Sequence, residues 1–197
     1  MVLKNLKTEK GWTELTSCLF MVIMVALIVF AEIKFREIKM TGNYIDDGIT
    51  LSGLAALICD VDETSENGTV IDKELTYLTF VESLKVNLDL TDDLASRDQF
   101  FFSNIIIEDY IVYDVDTSTS AVTVSTYAAD GTYTSVVHTN GNLCAPNGQF
   151  ITNTSIYVKI GVNIKGVFNS DDMYGDIEKI VGIGEEIIEE GEEGENE

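Results

Sequence analysis

The chain has 197 residues and combines 34 acidic with 12 basic residues, which gives a net charge of −22. Residues 1–40 hold six basic and four acidic residues, so the strong negative charge belongs to the rest of the chain. A region that acidic is repelled by nucleic acids and by anionic lipid surfaces, which excludes DNA and RNA as partners.

One apolar segment near the start of the sequence is long enough to cross a membrane. Leu15–Ala31 contains no charged residue, and as a helix it measures about 26 Å at ~1.5 Å per residue. A bilayer core of about 30 Å is spanned by roughly 17 to 25 such residues. The sequence contains no second segment of this kind, so we predict a single membrane span through residues 15–31.

The flanks of this segment favour a retained anchor over a cleaved signal peptide, because Ala31 runs into charged residues without a small-residue cleavage site. Equal numbers of basic residues flank the span, so the positive-inside rule does not decide the orientation. The short N-terminal tail and the Thr-, Ser-, Tyr-, Asn- and Gly-rich C-terminal part favour a cytoplasmic N-terminus. We therefore predict a single-pass protein of the cell membrane with an extracytoplasmic C-terminal domain.

A helical pattern continues beyond the apolar segment. Apolar and small residues recur at spacings of three and four as far as Ala56, with polar residues between them. The sequence predicts one helix over residues 12–59, apolar all round in its first half and amphipathic in its second. Gly42, Gly48 and Gly53 each weaken a helix by about 1 kcal/mol relative to Ala, although they also permit close packing.

Residues 60–180 are predicted to form a soluble α+β domain on which the long helix packs. Asp72 is a candidate cap for a helix over residues 73–90. Four segments rich in β-branched and aromatic residues predict an antiparallel meander: 105–115, 121–127, 132–138 and 156–164. The last of them alternates apolar with polar residues, which predicts one buried face. Residues 181–197 are expected to be an acidic tail, since they contain eight Glu and no basic residue.

The sequence lacks the common motifs for catalysis, metal binding and cofactor binding. It has no GxSxG, P-loop, HExxH or Rossmann glycine pattern. The three cysteines form no CxxC or Cys/His cluster, which argues against a zinc site. We therefore expect no enzymatic activity, no cofactor and no bound metal. Cys59 and Cys144 either form a disulfide after export or remain buried thiols.

Two residues at the start of the apolar segment are candidates for function. The amphipathic ring of Trp12 suits the membrane interface. Glu14 stands one residue before the apolar run. Its carboxylate is either a first-turn residue favoured by the helix dipole or a group that pairs with the N-terminus of a neighbouring subunit.

The order of these features resembles a pilin, and more closely the TadE/TadF-like minor pseudopilins of Tad pilus systems. The matching segments are Lys10-Gly11, Glu14, residues 30–35 and residues 43–57. The resemblance implies a pilin-like fold, a basic leader over residues 1–11 that is cut between Gly11 and Trp12, and a role for Glu14 in assembly. In the family the glutamate is usually the fifth residue of the mature chain, whereas Glu14 would be the third.

The resemblance implies a structural or assembly component of a pilus or secretion apparatus. Its partners would be the membrane and other pilin-like subunits or the assembly machinery. The alternative is a signal-anchored extracellular surface or sensor domain that does not polymerise. A processed N-terminus and co-assembly with pilin-like subunits distinguish the first function from the second.

Overall fold

The computed structural model describes residues 9–57, 71–98, 101–116, 118–139, 143–165 and 172–182, with the side chains of residues 9–11 left aside. Helix α1 runs over Glu9–Ala56 and helix α2 over Thr76–Asn87. The strands are β1 Phe102–Asp116, β2 Ala121–Tyr127, β3 Tyr133–His138, β4 Ser155–Ile164 and β5 Met173–Gly182. The prediction of an α+β fold with a long N-terminal helix and an antiparallel sheet is confirmed.

The chain divides into two compact units, and the boundary falls inside α1, between Asn43 and Tyr44. The first unit thus holds the part of α1 that contains the apolar segment. The second unit holds residues 44–56 of α1 together with α2 and the sheet.

The part of α1 in the second unit contributes to the hydrophobic core. Ile45, Ile49 and Ala56 are fully buried there. Two glycines on this part allow close approach of its neighbours. A Cβ added at Gly48 would lie 2.4 Å from Cδ2 of Leu88, and one at Gly53 would lie 2.8 Å from Cγ2 of Val181. These glycines therefore exchange some helix propensity for close packing.

Hydrogen bonds also hold this part of α1 to α2. The amide of Asn87 donates to the hydroxyl of Ser52 at 3.0 Å, and the hydroxyl of Tyr44 donates to the carbonyl of Asn87 at 3.0 Å. A further contact joins this part of α1 to β5, where Lys179 donates a hydrogen bond to Asp46. Residues 44–56 of α1 are thus fixed to the domain by polar as well as apolar contacts.

The sheet separates a large core from a small one. The face that meets the helices carries the alternating apolar residues of β4, namely Ile156, Val158, Ile160 and Val162. The opposite face is covered in part by the segment 143–151, where Ala145 and Ile151 pack with Tyr113 and Tyr157. The two cores explain why β4 is buried on both faces over most of its length.

The strand order β3-β2-β1-β4-β5 corrects the predicted four-stranded meander. The strand β4 pairs with β1, for example Tyr110 with Val158, and leaves β3 at an edge. The strand β5 was not predicted from the sequence, because Gly175 and the charged residues Asp176, Glu178 and Lys179 interrupt its apolar residues. It includes Val181 and Gly182, the first two residues of the predicted tail, while residues 183–197 lie outside the described residues.

The prediction that β4 has only one buried face is also wrong. Tyr157 is 1% exposed because the segment 143–151 covers it. Gly161 lies beneath the ring of Tyr174, whose hydroxyl oxygen would be 2.0 Å from an added Cβ. The residue pattern within β4 cannot reveal these two contacts. One comes from the segment 143–151 and the other from Tyr174 on the paired strand β5.

The helix ends differ slightly from those predicted. The first helix ends at Ala56 and not at Cys59, which lies outside the described residues. The second begins at Thr76, and its predicted cap instead orders the preceding turn. There the carboxylate of Asp72 accepts hydrogen bonds from the backbone N–H groups of Glu74 at 3.0 Å and Leu75 at 3.2 Å.

Candidate membrane anchor and assembly surface

The apolar segment of α1 is exposed along its length. Every side chain of residues 12–29 is exposed, and the most apolar 18-residue window of the helix is 0% buried. A core helix of a soluble domain would be mostly buried, so this helix needs another apolar environment. In the part of the chain that the structure describes, α1 is the one helix long and apolar enough to span a membrane, and it is a candidate single-pass anchor.

The two ends of this segment carry the polar groups. At its start Trp12 is 64% exposed, and the hydroxyl of Thr16 donates a hydrogen bond to the Trp12 carbonyl. At its other end lie two ion pairs between neighbouring helical turns. Arg36 and Glu32 are 3.2 Å apart, and Lys34 and Glu37 are 2.6 Å apart. This arrangement of an apolar middle and polar ends matches the profile of a bilayer.

The predicted site residues at the N-terminal end lie on one helix. Gly11, Trp12 and Glu14 all belong to α1. The side chain of Glu14 is exposed, and Cys18 and Met21 follow on the same face at helical spacing. The cleavage between Gly11 and Trp12 and the assembly role of Glu14 both concern other molecules, and they stay predictions.

The predicted pairing of Cys59 with Cys144 also stays a prediction, because Cys59 lies outside the described residues. Cys144 is exposed, and it forms an isolated backbone bridge with Phe150 in the segment that covers the small core. Its neighbour Ala145 is buried. The surroundings of Cys144 therefore do not match the alternative of a buried thiol.

A charged cluster on the sheet has a structural role. Lys159 lies 2.9 Å from a carboxylate oxygen of Glu108 and 3.5 Å from one of Asp176. The hydroxyl of Tyr174 also donates to Glu108. The hydrogen bond from Tyr174 is the main cause that lowers the pKa of Glu108, and Lys159 adds to the effect. These contacts hold the Tyr174 ring over Gly161.

Two acidic residues near the β1–β2 turn also have polar partners. Asp114 lies 3.5 Å from the ammonium of Lys73. Asp116 accepts hydrogen bonds from the hydroxyls of Ser118 and Thr119, which lower its pKa to about 2. Within the described ranges, no three His, Cys, Asp or Glu side chains are grouped so as to hold a metal ion.

Comparison of the chain with family models, with curated proteins and with solved structures finds no match. The structure therefore defines this protein by its architecture. It is an α+β domain with an antiparallel sheet whose first helix extends into an exposed apolar segment.

One feature of the surface was not singled out from the sequence. All six residues of the edge strand β3 are exposed, and none of them is a Lys, Arg, Asp or Glu. The lack of charge is visible in the sequence. The position of the strand at an edge follows only from the sheet order.

Proposed function

We propose that this protein is a membrane-anchored, pseudopilin-like structural component of a pilus or secretion apparatus. The observation that carries the proposal is the difference in burial between the two parts of α1. Its residues 12–29 present an exposed apolar surface, and its residues 45, 49 and 56 are fully buried in the domain core. The same helix thus serves an apolar environment at one end and a folded domain at the other.

The mechanism that we propose is physical. The apolar segment is first held in the bilayer, where its exposed side chains are solvated by lipid. In an assembly the same surface packs against apolar helices of other pilin-like subunits, so no new surface has to be created. The sheet domain is then presented on the extracytoplasmic side of the cell membrane. In this proposal the protein acts by binding its neighbours and catalyses no reaction.

Glu14 has a specific place in the proposal. A carboxylate at the lipid boundary is unfavourable unless it is hydrated or partnered. If the chain is cut after Gly11, a neighbouring subunit offers a free amine as a partner for Glu14. The resemblance to TadE/TadF-like pseudopilins supports this role, and the exposure of the Glu14 side chain on α1 leaves it accessible.

The substitution Glu14→Ala tests the proposal, with cross-linking to other pilin-like subunits and membrane insertion measured separately. Loss of a charge-assisted contact worth ~1.5 kcal/mol or more should lower cross-linking about tenfold while insertion persists. The matched control is Glu32→Ala at the other end of the apolar segment, where the carboxylate pairs with Arg36 at 3.2 Å.

Cross-linking by the Glu32→Ala control should equal that of the unchanged chain. Equal cross-linking by the Glu14→Ala variant would reduce Glu14 to a first-turn residue that is favoured by the helix dipole. Absence of cross-linking to any pilin-like subunit in the unchanged chain would contradict the proposed function itself. The protein would then be better described as an anchored surface or sensor domain that does not polymerise.

A further inference from the structure

The strand β3 forms one edge of the sheet and is open on both faces. Its six residues, Tyr133–His138, are all exposed, with Val136 at 56% and Val137 at 61%. It pairs with β2 on one side, and no described strand lies on the other. An edge of this kind presents backbone groups that can pair with another strand.

The hairpin between β2 and β3 fixes which backbone groups point outward. The Ala128 N–H donates to the Thr132 carbonyl at 2.8 Å, and the Gly131 N–H donates to the Ala128 carbonyl at 2.9 Å. From this point, residues of β3 alternate between those that form backbone hydrogen bonds with β2 and those that do not. Thr134, Val136 and His138 are the residues that form them. The backbone N–H and C=O groups of Tyr133, Ser135 and Val137 therefore face away from the sheet.

The side chains agree with this alternation. Residues in a pair without mutual backbone hydrogen bonds have closer side chains. The hydroxyls of Ser125 and Ser135 are 2.8 Å apart, and the rings of Tyr127 and Tyr133 have centroids 5.2 Å apart. In both pairs, the backbone N–H and C=O groups of the β3 residue therefore point away from β2.

The two edges of the described sheet differ in charge. The strand β5 carries Asp176, Glu178 and Lys179, and charged residues are a common protection of edge strands against pairing. The strand β3 has no such residue, no proline and an uninterrupted register with β2. It is thus an unprotected edge in a chain whose net charge is −22.

The charge distribution indicates what kind of strand pairs there. A strand with charged side chains would find no opposite charge on β3, whereas an uncharged strand of β-branched and aromatic residues leaves no charge unpaired there. The strand β3 of a second copy is such a strand. The net charge of −22 opposes contacts between two copies at their acidic surfaces, so it favours this edge over the rest of the surface.

We propose that β3 pairs antiparallel with β3 of a second copy, about a two-fold axis at Ser135. This register places Ser135 opposite its own counterpart and Tyr133 opposite Val137 of the second copy. An aromatic residue opposite a β-branched one is a favourable cross-strand pair. The two sheets then join into one continuous sheet across the pair of molecules.

A six-residue strand pair is a small interface compared with those of stable complexes. Two copies held by their α1 segments in one membrane meet at a high effective concentration, which compensates for the small area. The pairing therefore belongs to the anchored chain. It does not depend on cleavage after Gly11 or on the contact proposed for Glu14.

Cysteine cross-linking of the full chain in membranes tests the register. The native residues Cys18, Cys59 and Cys144 are first replaced by Ser, and Ser135→Cys is then introduced. In the proposed register the two copies of Ser135 form a hydrogen-bonded pair, whose Cα atoms are about 5.5 Å apart, and this distance suits a disulfide. We expect a disulfide-linked dimer under mild oxidation.

The matched control is Val137→Cys in the same background. In the proposed register the two copies of residue 137 are four residues apart along the strands, about 13 Å, and cannot form a disulfide. Equal cross-linking at positions 135 and 137, or cross-linking at 137 alone, would overturn the proposed register. Lack of cross-linking at both would overturn the pairing.

A second pair of variants tests the interface without cysteine. Val137→Glu adds a charge at the edge and should lower dimer formation in membranes about tenfold, whereas Val86→Glu on α2 should leave it unchanged. Val86 is 81% exposed, so the two substitutions make a similar change at exposed positions. Equal effects of the two variants would contradict the proposal. Slow amide exchange at Tyr133, Ser135 and Val137 in a chain shown to be monomeric would also contradict it, since a segment of the same chain would then cover the edge.

Discussion

Replacement of Ile23 by Arg is expected to lower membrane insertion of the chain about 100-fold. Ile23 lies near the middle of the apolar segment and is 48% exposed on α1. A charged residue at the centre of a membrane span raises the free energy of insertion by roughly 2.5 to 3.5 kcal/mol. The fraction of the protein that resists carbonate extraction from membranes measures this change.

The control for this experiment is the same substitution at Ile33. Ile33 is 56% exposed and lies beyond Ala31, among the ion pairs that follow the apolar segment. A charge there can reach the headgroup region, so Ile33→Arg should leave insertion nearly unchanged. If Ile23→Arg inserts as well as Ile33→Arg, the segment does not span the bilayer.

Replacement of Tyr110 by Ala is expected to destabilise the α+β domain by about 3 to 5 kcal/mol. Tyr110 is 1% exposed, and its ring lies among three other aromatic rings. Its centroid is 5.2 Å from that of Tyr77, 5.0 Å from that of Phe80 and 5.3 Å from that of Tyr127. Truncation would therefore leave a cavity between β1, β2 and α2. Denaturant unfolding of the full chain, followed by near-UV circular dichroism, measures the loss.

The hydroxyl of Tyr110 supplies the control. It lies 2.9 Å from the hydroxyl of Thr76, which donates to the carbonyl of Ala56 at the end of α1 at 2.8 Å. Burial raises the pKa of Tyr110, so the group stays neutral in the folded domain at neutral pH. Tyr110→Phe removes the hydrogen-bond contacts of this hydroxyl with Thr76 and should cost about 1 kcal/mol. Similar losses for Ala and Phe would show that the ring does not hold the core together.

Much of this fold could be predicted from the sequence, because its elements carry strong local signals. The strand β2 was predicted at its observed ends from β-branched residues between two turns. The long helix was predicted to within a few residues at both ends from its apolar run and its continuing helical spacing. Both signals depend only on neighbouring residues.

The remaining features depend on contacts between distant segments. The segment Met173–Gly182 has no clear alternation of apolar and polar residues, and it forms β5 because Ile177 and Val181 complete a core built by other elements. The order of the strands was missed for the same reason, since both neighbours of β1 satisfy the same local pattern. The exposed position of β3 follows from that order and was missed with it.

The residues of the candidate site also form two groups, those that the local sequence identifies and those that depend on the order of the strands. Trp12, Glu14 and the apolar segment could be named from the sequence because membrane insertion is decided by composition and length. The uncharged edge at Ser135 could not, because an edge is a property of the sheet. The contact of Gly161 with Tyr174 likewise appears only once β4 and β5 are paired.

The mature N-terminus is the most direct test of the proposed pseudopilin-like function. The chain should be purified from membranes of cells whose prepilin peptidase is known to process a pilin, and its first residue determined by sequencing and intact mass. The expected result is a chain that begins at Trp12, together with loss of this processing in a Gly11→Leu variant. The proposal would be contradicted if the purified chain retained the residues before Gly11 and differed in mass from the Gly11→Leu variant only by the substitution itself.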